Sequence, residues 1–152
     1  MITDELQCNH IVLLKLSGGG TSKELLSELA DYAVQKGYAK EGYAQALLTR
    51  ETEFPTGIQA KQGIAIPHAN QMYTKKGTII IAILEQKSEF LEMGSKKPVH
   101  VEIVFLLLID DMKNQVKVLE RIVSLIQNEQ QMKSLHTCEA IPTLEKIFKE
   151  YV

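Results

Sequence analysis

The sequence predicts an α/β fold in which helices flank a central mixed β-sheet, within a single domain that spans residues 1–152. Two observations lead to this prediction. Short runs of strand-forming apolar residues alternate along the chain with segments whose apolar residues recur every three or four positions, as strands and amphipathic helices do when they pack in layers. The chain of 152 residues, with 45% hydrophobic and 24% charged residues, is also long enough to bury a substantial core.

The first expected elements are a strand and a helix. His10–Leu16 is a short apolar run rich in strand formers, and it ends at the glycines of Ser17–Gly20. Thr21 and Glu24 have the spacing of a capping box, so a helix begins there and ends near Gly37. The helix residues expected to face the core are Leu25, Leu26, Leu29, Ala30, Ala33 and Val34.

The next segment leads from a second helix to a short strand. The helix is expected from Glu41 to Arg50. Glu51–Gly63 contains proline and glycines and is expected to be a loop. Ile64–Ile66 is expected to be a short strand that ends at Pro67, because proline restricts the residue before it to extended geometry.

Two further strands follow. Thr78–Leu84 is rich in β-branched residues and is expected to be a buried strand. Ser88–Pro98 is expected to be mostly turn. Val99–Ile109 begins with alternating polar and apolar residues and ends in a continuous apolar run, so one end of this strand is expected to be half exposed and the other to lie in the core.

The last third of the chain is expected to be helical. Met132 and Leu135 indicate a short helix, and Pro142 opens a final helix because proline is favoured near a helix start. The expected inward positions are Val116, Leu119, Ile122, Val123 and Ile126 in the helix before these, and Leu144, Ile147, Phe148 and Tyr151 in the last helix.

Composition and charge exclude several classes of protein. The net charge of −2 provides no basic surface for nucleic acid or an anionic membrane. The longest apolar stretches are too short to cross a bilayer, and the N-terminal residues have neither a positive leader nor an apolar signal core. We therefore expect a cytoplasmic protein with no nucleic-acid partner. Cys8 and Cys138 lack CxxC spacing and are expected to be reduced packing residues.

His68 is the most informative residue for function. It follows Pro67 directly in "GIAIPHAN" (Gly63–Asn70), and so lies where the sheet is expected to meet a loop, which is where ligands gather in α/β proteins. A neutral imidazole has one unprotonated nitrogen and can act as a base, a ligand or a nucleophile. The alternative is a structural histidine whose ring is hydrogen-bonded to a backbone carbonyl at the strand end.

The absence of several known motifs argues against some of the possible chemical roles of His68. No second histidine or carboxylate lies three or four residues away, and the chain has no HExxH or CxxC, so no metal site is expected. There is no G-x-S-x-G elbow, and Ser17–Gly20 lacks the lysine of a P-loop. Nucleophilic catalysis remains, with His68 carrying a phosphoryl group and Arg50 as the cation for its oxygens. The alternative for Arg50 is a favourable charge at a helix C-terminus.

Two segments carry a resemblance to a known family. "RETEFPTGI" (Arg50–Ile58) and "GIAIPHA" (Gly63–Ala69) resemble the signature of the fructose/mannitol-type IIA components of the bacterial sugar phosphotransferase system, and the resemblance covers nearly the whole chain. It implies the fold of that family and a phosphohistidine on Nε2 of His68, with Arg50 beside it. It also implies that the phosphoryl group arrives from HPr and leaves to a IIB component, which serves a membrane IIC component, and that no cofactor is needed.

One position departs from the family pattern. Many members carry a second histidine near the start of the helix after the last strand, and Gln115 stands in the matching place here. A glutamine amide can donate a hydrogen bond to a phosphoryl oxygen but cannot gain charge. Together with Glu53-Phe54-Pro55, this substitution is similar to the galactitol-specific branch, so uptake of galactitol or a related polyol is expected.

Three other functions remain as alternatives. One is a regulatory, nitrogen-type IIA protein that signals by its phosphorylation state. Another is a fragment of a transcriptional regulator, against which the single-domain length and the lack of a basic patch or a DNA-binding helix pair argue. The third is an unrelated small hydrolase.

The loop before His68 supplies the remaining candidates. Thr56 and Gly57 are expected to provide further donors to the phosphoryl group, since glycine allows close approach. Glu51 and Glu53 are expected to be solvated loop charges, with shaping of the loop or orientation of a ring nitrogen as the alternative. The site is expected to be a shallow dish on an apolar surface, with Ile66, Pro67 and Ala69 at its rim.

The other histidines are not assigned to the site. His100 is expected to be exposed on the polar side of its strand. His10 and His136 flank apolar segments and receive no role.

Overall fold

Helices pack on both faces of a six-stranded mixed sheet in the computed structural model, which describes residues 2–135 and 140–151. The strands are β1 (Ile2–Cys8), β2 (Ile11–Gly18), β3 (Gly57–Ile58), β4 (Gly63–Ala65), β5 (Thr78–Leu91) and β6 (Pro98–Leu108). The helices are α1 (Ser22–Gln35), α2 (Tyr43–Glu53), α3 (Met112–Ile126), α4 (Glu129–Ser134) and α5 (Ala140–Phe148). No helix within these residues is long and apolar enough to cross a membrane. His136 and Cys138 lie outside the described residues.

The sheet has the order β1-β2-β5-β6-β4-β3. Neighbouring strands run parallel in β2/β5 and β4/β6, and antiparallel in β1/β2, β5/β6 and β3/β4. The α/β class and the mixed sheet flanked by helices are therefore confirmed. The parallel pair β4/β6 matters most for function, because it carries the chain toward His68.

Each face of the sheet has its own core, because successive strand residues point to opposite sides. In β2, Val12, Leu14 and Leu16 pack with α1 and α2. Ile11 and Leu13, from the same strand, pack on the other face with α3, α4 and α5. The result is a three-layer arrangement that holds α2 and α3 on opposite sides of the sheet.

The glycines of Ser17–Gly20 serve the turn between β2 and α1. Gly18 and Gly19 have φ of +67° and +80°, a region that favours glycine. A Cβ at Gly18 would also lie 2.1 Å from the carbonyl oxygen of Gln86 in β5. Thr21 then caps α1, with its hydroxyl oxygen accepting the Glu24 N–H at 3.1 Å, as the capping-box spacing predicts.

Several elements differ from the sequence prediction, and one of them is β4, which covers Gly63–Ala65 rather than Ile64–Ile66. β5 runs to Leu91, through a register irregularity between Ile83 and Ser88, so most of the expected turn is strand. β1 was not predicted because it is a largely exposed edge strand held by backbone pairing to β2. The two-residue β3 was also missed, and α2 extends to Glu53 rather than ending at Arg50.

The buried face of α3 also differs from the prediction. Val118, Ile122 and Leu125 are buried, whereas Val116 and Val123 are 53% and 45% exposed. The sequence of α3 carries two overlapping apolar stripes at helical spacing, and periodicity alone cannot distinguish which one packs against the sheet.

Candidate functional site

The backbone around His68 is fixed to the end of β6. β4 pairs with β6 through Ala65 beside Val104, and the chain remains attached beyond the strand. The carbonyl of Pro67 accepts the Leu107 N–H at 3.2 Å, and His68 forms an isolated parallel bridge with Leu107. His68 therefore lies at the end of the sheet, as the proline-histidine sequence predicts, and next to the end of β6. The chain leaving β6 at Leu108 begins α3 at Met112.

A hydrogen bond fixes the tautomer of the His68 ring. Its Nδ1 lies 2.9 Å from the carbonyl oxygen of Ile66. A carbonyl can only accept, so Nδ1 carries the proton and donates it, and a neutral ring then has its lone pair on Nε2. Within the described ranges, the ring nitrogens of His68 make no other hydrogen bond to the protein. An imidazole held through Nδ1 in this way is suited to react through Nε2.

The surroundings of His68 keep the ring neutral. Burial lowers the pKa of His68 below its ordinary value of 6.5, and the positive charge of Arg50 lowers the pKa further, while the Ile66 carbonyl opposes both. Because the pKa is lowered, Nε2 retains its lone pair at neutral pH and is protonated only as the pH falls below 6.5. A nucleophile that works at neutral pH needs this state.

An open depression of about 700 Å³ borders His68. The three residues expected to act on the phosphoryl group line it together: His68, Arg50 and Gln115. Arg50 comes from α2 and Gln115 from the first turns of α3, so the sheet edge brings together side chains that are distant in sequence. The other lining residues are Gly42, Gln45, Ala46, Thr49, Glu53, Ala69, Asn70, Gln71, Tyr73 and Met112.

Arg50 is available to an anion. Its side chain is exposed, and its guanidinium carbon lies 4.3 Å from the centroid of the Phe54 ring, one helical turn later. Stacking on an aromatic face leaves the planar fork of donors free at its edge. Among the residues that the structure describes, none forms an ion pair with Arg50. The alternative of a helix C-terminal charge also holds, since Arg50 is in the last turn of α2.

The apolar surface around the depression differs from the expected one. Ile66 and Pro67 are buried and do not line the depression, whereas Ala69, although mostly buried, lines it as expected. Exposed apolar side chains instead come from Phe54, Met72 and Met112, which are 55%, 63% and 62% exposed. These residues, and the face of α2 that lines the depression, were not predicted. The signal for that face was present, because Gly42, Gln45, Ala46, Thr49, Arg50 and Glu53 recur at spacings of three and four.

Thr56 and Gly57 are not among the residues that line the depression. Both the N–H and the hydroxyl of Thr56 donate to the carboxylate of Glu51, so neither donor is left for a ligand. Gly57 is required by packing, since a Cβ there would lie 2.5 Å from the carbonyl oxygen of Leu91. Glu51 is buried and shapes the loop, so its assignment as a solvated charge was wrong, whereas Glu53 is exposed as expected.

The remaining histidines lie elsewhere. His100 is exposed on β6, as the alternation predicts, and is not among the lining residues. Nδ1 of His10 contacts the carbonyl oxygen of Gly77 at 3.1 Å. Across the described part of the chain, no three histidine, cysteine, aspartate or glutamate residues are grouped as metal ligands.

Replacing Arg50 with alanine is expected to raise the pKa of His68, because removal of a nearby positive charge makes protonation of the ring easier. The measurement is an NMR titration of the His68 ring protons. Arg121→Ala, which removes an exposed arginine of α3 outside the depression, is the control and should leave the titration unchanged. A His68 pKa that does not move in Arg50→Ala would contradict the closeness of the two groups.

Solved structures with this arrangement of sheet and helices are IIA proteins. A chain of the complex of enzyme IIAMTL and phosphorylated enzyme IIBMTL from Escherichia coli matches with a TM-score of 0.68, at 17% identity, over 95% of this chain and 97% of that one. The nitrogen regulatory protein IIA-Ntr from Neisseria meningitidis matches with a TM-score of 0.68, at 23% identity, over 92% and 93% of the two chains. The fold is that of the IIA class.

Sequence comparison defines the family within this class. The family "Phosphoenolpyruvate-dependent sugar phosphotransferase system, EIIA 2" matches residues 6–151, and the chain belongs to it. The galactitol-specific EIIA component of Escherichia coli (strain K12) is 30% identical over 130 residues, which are 85% of this chain and 86% of that protein. The resemblance noted from the motifs is thereby confirmed: the protein is a phosphoryl-transfer component of the sugar phosphotransferase system, and a IIB component is the partner that its family implies.

Proposed function

We propose that the protein carries a phosphoryl group on Nε2 of His68, receives it from HPr, and passes it to a IIB component that serves a membrane IIC component for uptake of galactitol or a related polyol. The observation that carries the assignment to His68 is the bond from its Nδ1–H to the carbonyl of Ile66. This bond leaves Nε2 as the nucleophilic nitrogen of a neutral ring.

The transfer follows from the geometry of the site. The lone pair on Nε2 of His68 bonds to phosphorus as the bond from phosphorus to the donor histidine nitrogen breaks, and the bonding pair returns to that donor ring. Positive charge develops on the His68 ring, and its Nδ1–H bond to Ile66 strengthens as it does. Transfer to IIB is the same displacement with His68 as the leaving group.

The protein's other contribution is stabilisation of the phosphoryl oxygens. The fork of Arg50 matches their geometry and neutralises part of their charge. Gln115 lines the same depression. Its amide can donate a hydrogen bond to a phosphoryl oxygen, and this donor does not change with pH because an amide does not titrate. Exposed Phe54, Met72 and Met112 add apolar surface that a partner protein can cover.

The polyol assignment is supported by similarity to the galactitol-specific component, together with Gln115 and the Glu53-Phe54-Pro55 sequence. The regulatory alternative has weaker support, because the sequence identity to the nitrogen regulatory protein is 23%. A similarity at that level is evidence for a shared fold only.

Reconstitution tests the proposal. The protein is incubated with phosphoenolpyruvate and the general phosphotransferase proteins, with and without HPr, and then with the IIB component of a galactitol system. Acid-labile phosphate is expected on the protein only when HPr is present, and it should move to the IIB protein. A protein that takes phosphate but passes none to any sugar-specific IIB component would support the regulatory alternative instead, and free phosphate released without a partner would indicate a hydrolase.

A further inference from the structure

Glu51 is a buried carboxylate next to the candidate phosphate-binding arginine. Neighbouring residues of an α-helix point about 100° apart, so Arg50 and Glu51 face different surroundings on the last turn of α2. Arg50 is exposed, whereas Glu51 is only 9% exposed. The described ion pairs do not include Glu51, so its charge is met by hydrogen bonds instead.

Both hydrogen-bond donors of Thr56 satisfy this carboxylate. The Thr56 N–H donates to Oε1 of Glu51 at 2.9 Å, and the Thr56 hydroxyl lies 2.9 Å from Oε2 and 3.1 Å from Oε1. Burial raises the pKa of Glu51 above its ordinary value, and the two hydrogen bonds from Thr56 offset only part of that rise. The contact therefore depends on both residues, because loss of either donor leaves a buried carboxylate short of a partner.

Thr56 connects this contact to the histidine. Its carbonyl accepts the Ile66 N–H at 3.3 Å, and the Ile66 carbonyl accepts the proton of His68 Nδ1 at 2.9 Å. The following residues, Gly57–Ile58, pair with Ile64 and Ala65 of β4. A continuous set of hydrogen bonds thus joins the last turn of α2 to the backbone that orients the His68 ring.

We propose that Glu51 is a positioning residue, which through Thr56 fixes the end of α2 and so holds Arg50 in place beside His68. This inference rests on the proposed function, since it assigns Glu51 an effect on transfer only through those two groups. A carboxylate is suited to this position because it accepts from both Thr56 donors at once. A misplaced cation loses much of its benefit to a transferring phosphoryl group, because the benefit depends on preorganised geometry.

The rate of phosphoryl transfer from phosphorylated HPr measures this role. Glu51→Gln is expected to slow transfer about tenfold, because its amide accepts through one oxygen only. Thr56→Val keeps the shape but removes the hydroxyl and should slow transfer to a similar extent, whereas Thr56→Ser retains the donor and should restore the rate. Glu41→Gln, which removes an exposed carboxylate just before α2, is the control and should transfer as fast as the unchanged protein.

A double-mutant cycle separates positioning from a general loss of structure. Arg50→Ala is expected to slow transfer about a hundredfold, and adding Glu51→Gln to it should cause no further loss. Thr56→Val should also raise the pKa of His68, since Arg50 is no longer held beside the ring, and Thr56→Ser should not.

Each outcome decides one assignment. Additive losses in the double variant, a Thr56→Val protein with unchanged rate, or a His68 pKa that does not move would overturn the positioning role and leave the carrier function intact. Phosphate incorporation that persists in a protein lacking the His68 imidazole would overturn the carrier assignment itself. If Glu51→Gln fails to fold, the Thr56→Val and Thr56→Ser pair carries the test alone.

Discussion

His68→Ala is expected to lose phosphate incorporation by at least about 10⁴-fold, because the substitution removes the nucleophile on which the phosphoryl group is carried. The measurement is transfer of labelled phosphate from phosphoenolpyruvate through the general phosphotransferase proteins. The variant should fold, since His68 is half-buried and makes one side-chain hydrogen bond within the described residues, to a backbone carbonyl.

The matched control is His100→Ala. His100 is exposed on β6 and is not among the residues that line the depression, so its loss should leave the transfer rate unchanged. Incorporation in His68→Ala at the level of the unchanged protein would show that another residue carries the phosphate.

Gly63→Ala is expected to lower the free energy of unfolding by about 3 kcal/mol. A Cβ at Gly63 would lie 1.9 Å from the carbonyl oxygen of His100, which is backbone of β6 and cannot rotate away. The strand pair β4/β6 has a register irregularity between Gly63 and Ile64, and the added methyl group would force these strands apart at that point. Urea denaturation measures the change.

Gly20→Ala is the control for this substitution. Gly20 does not have a positive φ, and the nearest atom to an added Cβ is Oε2 of the exposed Glu24 side chain at 3.1 Å, which can move. Its free energy of unfolding should change by no more than about 0.5 kcal/mol. Equal losses in the two variants would show that the close approach at Gly63 is not what makes glycine necessary there.

Much of the fold follows from sequence patterns, since the strands around Leu13, Ile81 and Phe105 are buried on both faces and therefore continuously apolar. β1 could not be found in this way, because its side chains are largely exposed and its place is set by pairing with β2. The inward face of α3 was ambiguous for a different reason. Val116 and Val118 belong to two apolar stripes, and the sheet determines which of them is buried.

The site illustrates a similar division. His68 and Arg50 could be singled out from the chemistry of their side chains and their local sequence, and both line the same depression in the structure. The plain alternative for His68, a ring bonded to a carbonyl, is present in the structure and is compatible with the functional one, because that bond leaves Nε2 free. For Glu51, shaping of the loop was only the alternative to a solvated charge, because its burial depends on where α2 ends and on the hydrogen bond from the Thr56 N–H.

The most direct measurement is nitrogen NMR of the phosphorylated protein with ¹⁵N-labelled histidine, which distinguishes the two ring nitrogens of each histidine. A phosphoryl group on Nε2 of His68, with the proton retained on Nδ1, is the expected result. A phosphoryl group on Nδ1 of His68, or on any other residue, would contradict it.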